Sequence, residues 1–327
     1  MYKIYDRWPE IARESYESRQ NPLFFDKIDH IVFAGIGGSG ALGDIFSAIL
    51  SKTKLHVVVS KGYHLPNTVD SNTLLIATSI SGNTAETLSV LKSSYKKGCK
   101  IVAFSSGGKI QEFCNRYEIE HRTIPQTHSP RTSFAGFLYT ILNVLSPVIP
   151  VKENDIKDSI KCLEILGRKI SSNNLTGDNP ALNLARWITG IPLIYYPFGL
   201  QAAAIRFKNS IQENAKRHSM AEDVIEACHN GIVAWEKSSI VQPILIEGKD
   251  DFIKTKERWK ILKKYFEEKN IDYKEIHSVQ GGILPKLINL IYLLDYTSIY
   301  LGVLSRIDPS PTNSIDFVKK RLSKSLI

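Results

Sequence analysis

A chain of 327 residues, 43% of them hydrophobic and 23% charged, has the length for two ordinary domains and the composition of a globular protein, not a disordered or fibrous one. Its formal net charge of +9 is spread through mixed-sign stretches such as KDDFIKTKERWKILKKYFEEKN, without the basic and aromatic interleaving of single-strand binders, which argues against a nucleic-acid partner and for a field that gathers anionic small molecules. The four cysteines, Cys99, Cys114, Cys162 and Cys228, form no CxxC pair, which argues against a zinc or disulfide framework and predicts reduced thiols in the cytoplasm.

In chain order, the amino-terminal stretch MYKIYDRWPEIARESYESRQ is charged throughout and lacks the apolar core of a signal peptide, so no secretion is expected. Short apolar runs at 31–35, 55–59, 73–78, 100–104 and 119–124 then alternate with helical stretches, the pattern of a doubly wound parallel sheet. The most apolar segments, 134–151 and 284–304, carry Asn, Asp or Pro within the span and read as buried or interface helices rather than membrane spans. A charged helix from 151 to about 171 and the turn SSNNLTGDNP mark the candidate linker. Beyond it come a strand at IPLIYYPFG, a helix at LQAAAIRFKNSIQENAK, and strands at PILIEG and YKEIHSVQGG. The strand-glycine-helix unit at 191–216 echoes the one at 31–50. This predicts an α/β protein made by degenerate duplication of one unit, with domains at 1–150 and 151–327.

Two loops carry chemistry. The strand ending LLIAT runs straight into SISGNTAET, which sets Ser79, Ser81 and Thr84 at the carboxyl end of a buried strand, where open α/β sheets bind ligands. Asn83 or Thr84 can cap a following helix whose free N–H groups suit an anion, although the same hydroxyls could simply satisfy their own backbone. Upstream, HIVFAGIGGSG contains a GxGxxG-like string from Gly35 to Gly40. A dinucleotide site wants an acidic residue about 20 positions further on, at the end of the second strand. That strand ends instead in Ser60 and Lys61, so two loops holding one phosphomonoester fit better.

The pair GIGGSG and SISGNTAET resembles the sugar isomerase (SIS) domain, a flavodoxin-like phosphosugar-binding fold, which implies two SIS-type subdomains, each a parallel sheet flanked by helices. Pro130-Arg131, FKNSIQENAK, CHNGIVAWE and DPSPTNSIDFVKKRL extend the likeness, in order, to the archaeal bifunctional phosphoglucose/phosphomannose isomerases. That resemblance implies a phosphate site at Gly38, Ser39, Ser79, Ser81 and Thr84. It implies a reacting end made of Arg131, Glu213, His229, Thr312 and Lys319, with no cofactor. Glu213 is then the base that moves a proton between C1 and C2, and His229 the ring-opening group, contributed by the neighbouring subunit of a homodimer. Arg131 would stabilise a cis-enediolate, and Thr312, where glucose-specific relatives carry a bulkier Gln, would leave room for both C2 epimers.

Alternatives stay open. Lys320 rivals Lys319, His218 rivals His229, Glu213 could be a surface residue of a solvated helix, and Thr312 could serve only as the cap of the last helix. No HxH, HExxH or Cys/His ligand constellation is visible, so acid-base chemistry without a metal is expected. A non-catalytic SIS-domain sensor of sugar phosphates is the rival function. The isomerase half of a glucosamine-phosphate synthase is a third reading, although no glutaminase segment with an amino-terminal Cys is seen.

Overall fold

The computed structural model describes residues 1–322. Two short helices, α1 (Tyr2–Asp6) and α2 (Trp8–Tyr16), precede β1 (His30–Ala34), α3 (Gly38–Leu50), β2 (His56–Ser60), β3 (Thr73–Ser79) and α4 (Ala85–Lys97). Next come β4 (Lys100–Ser105), α5 (Gly108–Arg116), β5 (Glu120–Thr123) and α6 (Phe134–Val144). Helices α7 (Glu153–Ile170) and α8 (Pro180–Trp187) lead to β6 (Ile191–Tyr196), α9 (Gln201–Ser210), a π-helical turn (Ile211–Ala215), β7 (Met220–Asp223) and α10 (Val224–Ala227). After a 3₁₀ turn (Gly231–Glu236), β8 (Val241–Glu247), α11 (Ile253–Glu268), β9 (Lys274–His277), α12 (Ile283–Leu304) and α13 (Asn313–Leu322) complete the described chain.

The first sheet has the order β2-β1-β3-β4-β5 and the second β7-β6-β8-β9, every pair parallel. The expected architecture of two parallel sheets flanked by helices is what the chain adopts. Every residue of β1 and β3 is buried, which is why both read as unbroken apolar runs. In each sheet the winding reverses beside the first strand, between β1 and β3 and between β6 and β8, and ligands of open α/β sheets lodge outside the carboxyl ends of such strands. The loops after β1 and β3 are the two that the sequence singled out.

One apolar core joins the sheets. It includes Ile31, Phe33 and Ile76 from the first, Ile194 and Ile244 from the second, and Leu287, Ile291 and Tyr292 from α12. By length and composition α12 could cross a membrane, but 83% of its apolar window is buried inside the protein.

The segment SSNNLTGDNP is a tied turn and not a loose connection. Asn179 caps α8 by accepting from the Leu182 N–H at 2.9 Å, ahead of Pro180, while its amide donates to Asn174 O and to Tyr300 Oη on α12. Its polar composition is that of a helix cap. The sequence reading assigned no strand at β7, Met-Ala-Glu-Asp, and the reason is physical: an edge strand with an exposed first residue and two acids shows no apolar run.

Candidate active site

The loop after β1 opens α3 at Gly38, and Ser39, 8% exposed, turns its Oγ to accept from the Ile80 N–H at 3.2 Å. One hydroxyl thereby ties the two ligand-edge loops together. Its own proton remains available to a third party. Within the second loop Ser79 is buried and hydrogen-bonded to Thr84 Oγ1 at 2.9 Å, whereas Ser81 is exposed, its hydroxyl accepting a long bond of 3.4 Å from the Asn83 N–H and its carbonyl one of 3.0 Å from Asn83 Nδ2. Thr84 is the N-cap position of α4, with no side-chain capping bond. Gly82 has φ +69°, and a Cβ there would come 1.7 Å from the Gly107 carbonyl oxygen, so only glycine lets the loops after β3 and β4 pack so closely.

The Pro130 carbonyl lies against Gly38, 3.5 Å from where a Cβ would project, so the phosphate-loop candidate and the segment carrying Arg131 are neighbours. The turn around Arg131 is braced by hydroxyls: Thr132 Oγ1 accepts from the Ser129 N–H at 3.0 Å, and Ser133 Oγ accepts from the Thr127 N–H at 2.9 Å. Beneath it lies a buried ion pair, Arg206 and Asp295, 2.6 Å apart and 4% and 0% exposed. Arg206 also donates to the Arg131 carbonyl at 3.1 Å and stacks 3.8 Å above the Phe134 ring, while Ser210 and Tyr5 both donate to Asp295. Burial, then the charge of Asp295, raises the Tyr5 pKa well above the ordinary tyrosine value, so Tyr5 stays a proton donor. These partners satisfy the hydrogen-bonding groups of the buried pair, against its desolvation cost, and fix the backbone of Arg131.

Arg131 is only 6% exposed. Its Nε lies 3.2 Å from Glu213 Oε2, while Nη1 donates to Asn214 Oδ1 at 2.5 Å and to Pro309 O at 3.1 Å, and Nη2 donates to Ser310 O at 3.1 Å. Asn214 is buried and donates in turn to Ser298 Oγ at 2.8 Å. Glu213 and Asn214 both belong to the π-helical turn, the rare local widening that often marks functional positions. The turn ends at Lys216, in the left-handed region at φ 53°. The Glu213 side chain is 30% exposed, so its carboxylate reaches the surface beside a nearly dry guanidinium.

A family model described as the SIS domain matches residues 24–145, and one described as the bacterial phospho-glucose isomerase C-terminal SIS domain matches residues 177–322. A bifunctional phosphoglucose/phosphomannose isomerase from Caldicellulosiruptor bescii is 31% identical to this chain, over 99% of this chain and 99% of its own. The chain belongs to the bifunctional phosphoglucose/phosphomannose isomerase family. A further relative of that name from Thermoplasma acidophilum is 31% identical over 90% of this chain and 90% of its own. In fold, the chain is similar to the solved tagatose-6-phosphate ketose/aldose isomerase of Escherichia coli, with TM-score 0.71 and 12% identity over 94% of this chain and 93% of that one.

Of the residues that the family resemblance points to, the structure gathers Gly38, Ser39, Ser79, Ser81 and Thr84 at one sheet edge, with Arg131 and Glu213 next to it. Thr312 follows the Pro309–Pro311 carbonyls that Arg131 and Lys216 hold, and its own carbonyl accepts from Ile315 and Asp316 at the start of α13. Lys319 and Lys320 both lie exposed on α13. His229 lies exposed just after α10 and His218 exposed just after the π-turn, and no hydrogen bond or ion pair joins either to Glu213 among the described residues. The sequence reading passed over Arg206 and Asp295 as a pair. The signal was present, since each is a charge set within an apolar run, AAAIRF and LIYLLDY.

Proposed function

We propose that this protein interconverts glucose 6-phosphate or mannose 6-phosphate with fructose 6-phosphate through a cis-enediolate, by acid-base proton transfer. The observation that carries the reading is the Arg131–Glu213 ion pair of 3.2 Å beside the Gly38 loop. The α3 and α4 N-termini, with the hydroxyls of Ser39, Ser81 and Thr84, take the phosphate, and Ser79 acts through its bond to Thr84. Glu213 removes the proton from C2 of the aldose and returns it to C1. As it does so, negative charge leaves the carboxylate and develops on the substrate oxygens, within reach of the same guanidinium, so Arg131 stays paired throughout.

His229 opens the pyranose ring from the partner subunit of a homodimer, and Lys319 completes the reacting end. These two assignments rest on the family resemblance, whereas the division at residues 150 and 151 rests on the repeated strand-glycine-helix unit. His229 is exposed, and no bond joins it to Glu213 of its own chain among the described residues, which leaves it available to a partner's site. The decisive experiment is a coupled assay for fructose 6-phosphate formed from each aldose phosphate, repeated after prolonged chelation, with the mass in solution measured alongside. The reading expects turnover of both substrates that survives chelation, and twice the chain mass. Tight binding of fructose 6-phosphate with no turnover of either aldose would leave the sensor.

A further inference from the structure

The segment Asp308–Thr312 crosses the site as a strap and is held almost wholly by its carbonyls. Pro309 and Pro311 have no N–H to give, and their carbonyls, with that of Ser310, accept from Arg131 Nη1, from Lys216 Nζ at 2.6 Å and from Arg131 Nη2. Asp308 folds the strap locally by accepting from the Ser310 N–H at 2.8 Å, and Ser310 Oγ meets His128 Nε2 at 3.3 Å. Lys216 Nζ donates a second bond, of 2.5 Å, to the Glu213 carbonyl. One ammonium therefore bridges the turn that carries Glu213 and the strap that carries Thr312.

Lys216 is also one of five non-glycine residues with positive φ in the described chain, a conformation costly for a side chain and persisting only where its surroundings impose it. Lys216 is exposed, and partial desolvation, then the charge of Arg131, lowers its pKa from the ordinary lysine range, while Asp308 and Glu213 oppose that.

We propose that Lys216 is a positioning residue, a latch that fixes the Asp308–Thr312 strap, and with it Thr312 and the start of α13, against the Glu213 turn. It donates to two main-chain carbonyls and touches the reaction only through what it holds. A flexible strap would let Thr312 and Glu213 drift relative to one another, and geometric drift costs turnover more than binding.

The test compares the native protein with Lys216→Met and Lys216→Arg. Hydrogen exchange at the amides of residues 313–318, measured without ligand, should quicken at least about fivefold in Lys216→Met, with Lys216→Arg within about twofold of native. Turnover in the coupled assay should fall about tenfold in Lys216→Met while the Michaelis constant moves less than about twofold, and Lys216→Arg should recover most of the loss. Exchange unchanged by removal of the ammonium overturns the latch, whatever the kinetics. A raised Michaelis constant at native turnover would make Lys216 a substrate contact and equally overturn the positioning role. The kinetic arm rests on the isomerase reading: native protein inactive on both aldoses sinks that reading, and the exchange measurement still decides the latch.

Discussion

Arg131 Nε and Glu213 Oε2 stand 3.2 Å apart, the arginine side chain 8% exposed and the carboxylate 30%. Three of the five guanidinium N–H donors are taken by Asn214, Pro309 and Ser310, so the edge facing Glu213 is held in place by bonds that no substrate need disturb. A charge so fixed and so little solvated acts strongly on any negative charge that forms beside it.

The first prediction follows from this pair. Glu213→Gln keeps shape and hydrogen bonding but cannot accept a proton, so turnover should fall by on the order of a hundredfold or more while the phosphosugar still binds. Steady-state kinetics paired with calorimetric titration of fructose 6-phosphate checks both halves. Near-native turnover would remove Glu213 from the chemistry.

The second concerns the hydroxyls. Ser39 Oγ already serves the Ile80 N–H, so Ser39→Ala should orphan that buried donor and deprive the phosphate of another, whereas exposed Ser81 braces only its own loop through a long bond. Each variant should weaken substrate binding by about 1–3 kcal/mol, and only Ser39→Ala should also lower the melting temperature. Michaelis constants unchanged in both variants would return these side chains to loop bracing alone.

The third is a stability profile. His30, stacked on His56 and bonded to Thr73 Oγ1 at 3.0 Å, has its pKa lowered first by burial and then by the charge of His56, with Asp70 and Asp29 opposing. His121 is lowered chiefly by burial too. Both resist protonation in the fold and accept it in the unfolded chain. Their contribution is therefore full above an unfolded pKa of about 6.5 and lost as pH falls below it. The melting temperature should drop between about pH 7 and pH 5, and His30→Gln, which keeps a partner for Thr73 but cannot titrate, should flatten that drop. An identical slope in the variant would acquit His30.

How much of this could be read beforehand depends on which force each residue obeys. The runs of β1 and β3 were legible because burial on both faces demands apolar side chains at every position, and the two loops because strand ends at a winding reversal put small polar residues where ligands sit. Arg131 was not legible as buried: its partners come from residues 213–214 and 309–310, far along the chain. Nor does any pattern announce a π-turn, since widening a helix by one residue leaves composition untouched. α13 shows the limit of periodicity. Ile315, Val318 and Leu322 recur at helical spacing as an apolar stripe, yet these residues are 40%, 53% and 46% exposed, so an amphipathic pattern says which face seeks cover and not what covers it.

The last prediction is dual specificity, and it turns on Thr312. Glucose and mannose 6-phosphates differ only at C2, so one cis-enediol serves both if Glu213 can reach either of its faces. That requires rotation about C2–C3 in the open chain, and rotation requires space. Thr312 ends the strap whose carbonyls Arg131 and Lys216 grip, so its side chain is carried by backbone tied to the guanidinium beside Glu213 and, through the Lys216 ammonium, to the Glu213 carbonyl. Its carbonyl accepts from Ile315 at 2.9 Å and from Asp316 at 3.2 Å, the ordinary first bonds of the helix, while no hydrogen bond engages its hydroxyl among the described residues, so the side-chain capping bond weighed against this function is not made. A short side chain at this position, with no capping bond to hold it, is expected to leave room beside C2. Replacing it with a longer amide should crowd C2 without touching the phosphate loops. Thr312→Gln should retain glucose 6-phosphate turnover within about threefold and lose mannose 6-phosphate turnover by about tenfold or more, a difference of roughly 1 kcal/mol or more between two transition states. The measurement is kcat/KM for both aldoses on native and variant protein. Equal losses on the two sugars would make Thr312 a general support of the strap, and a native protein blind to mannose 6-phosphate would leave it no part in choosing between epimers.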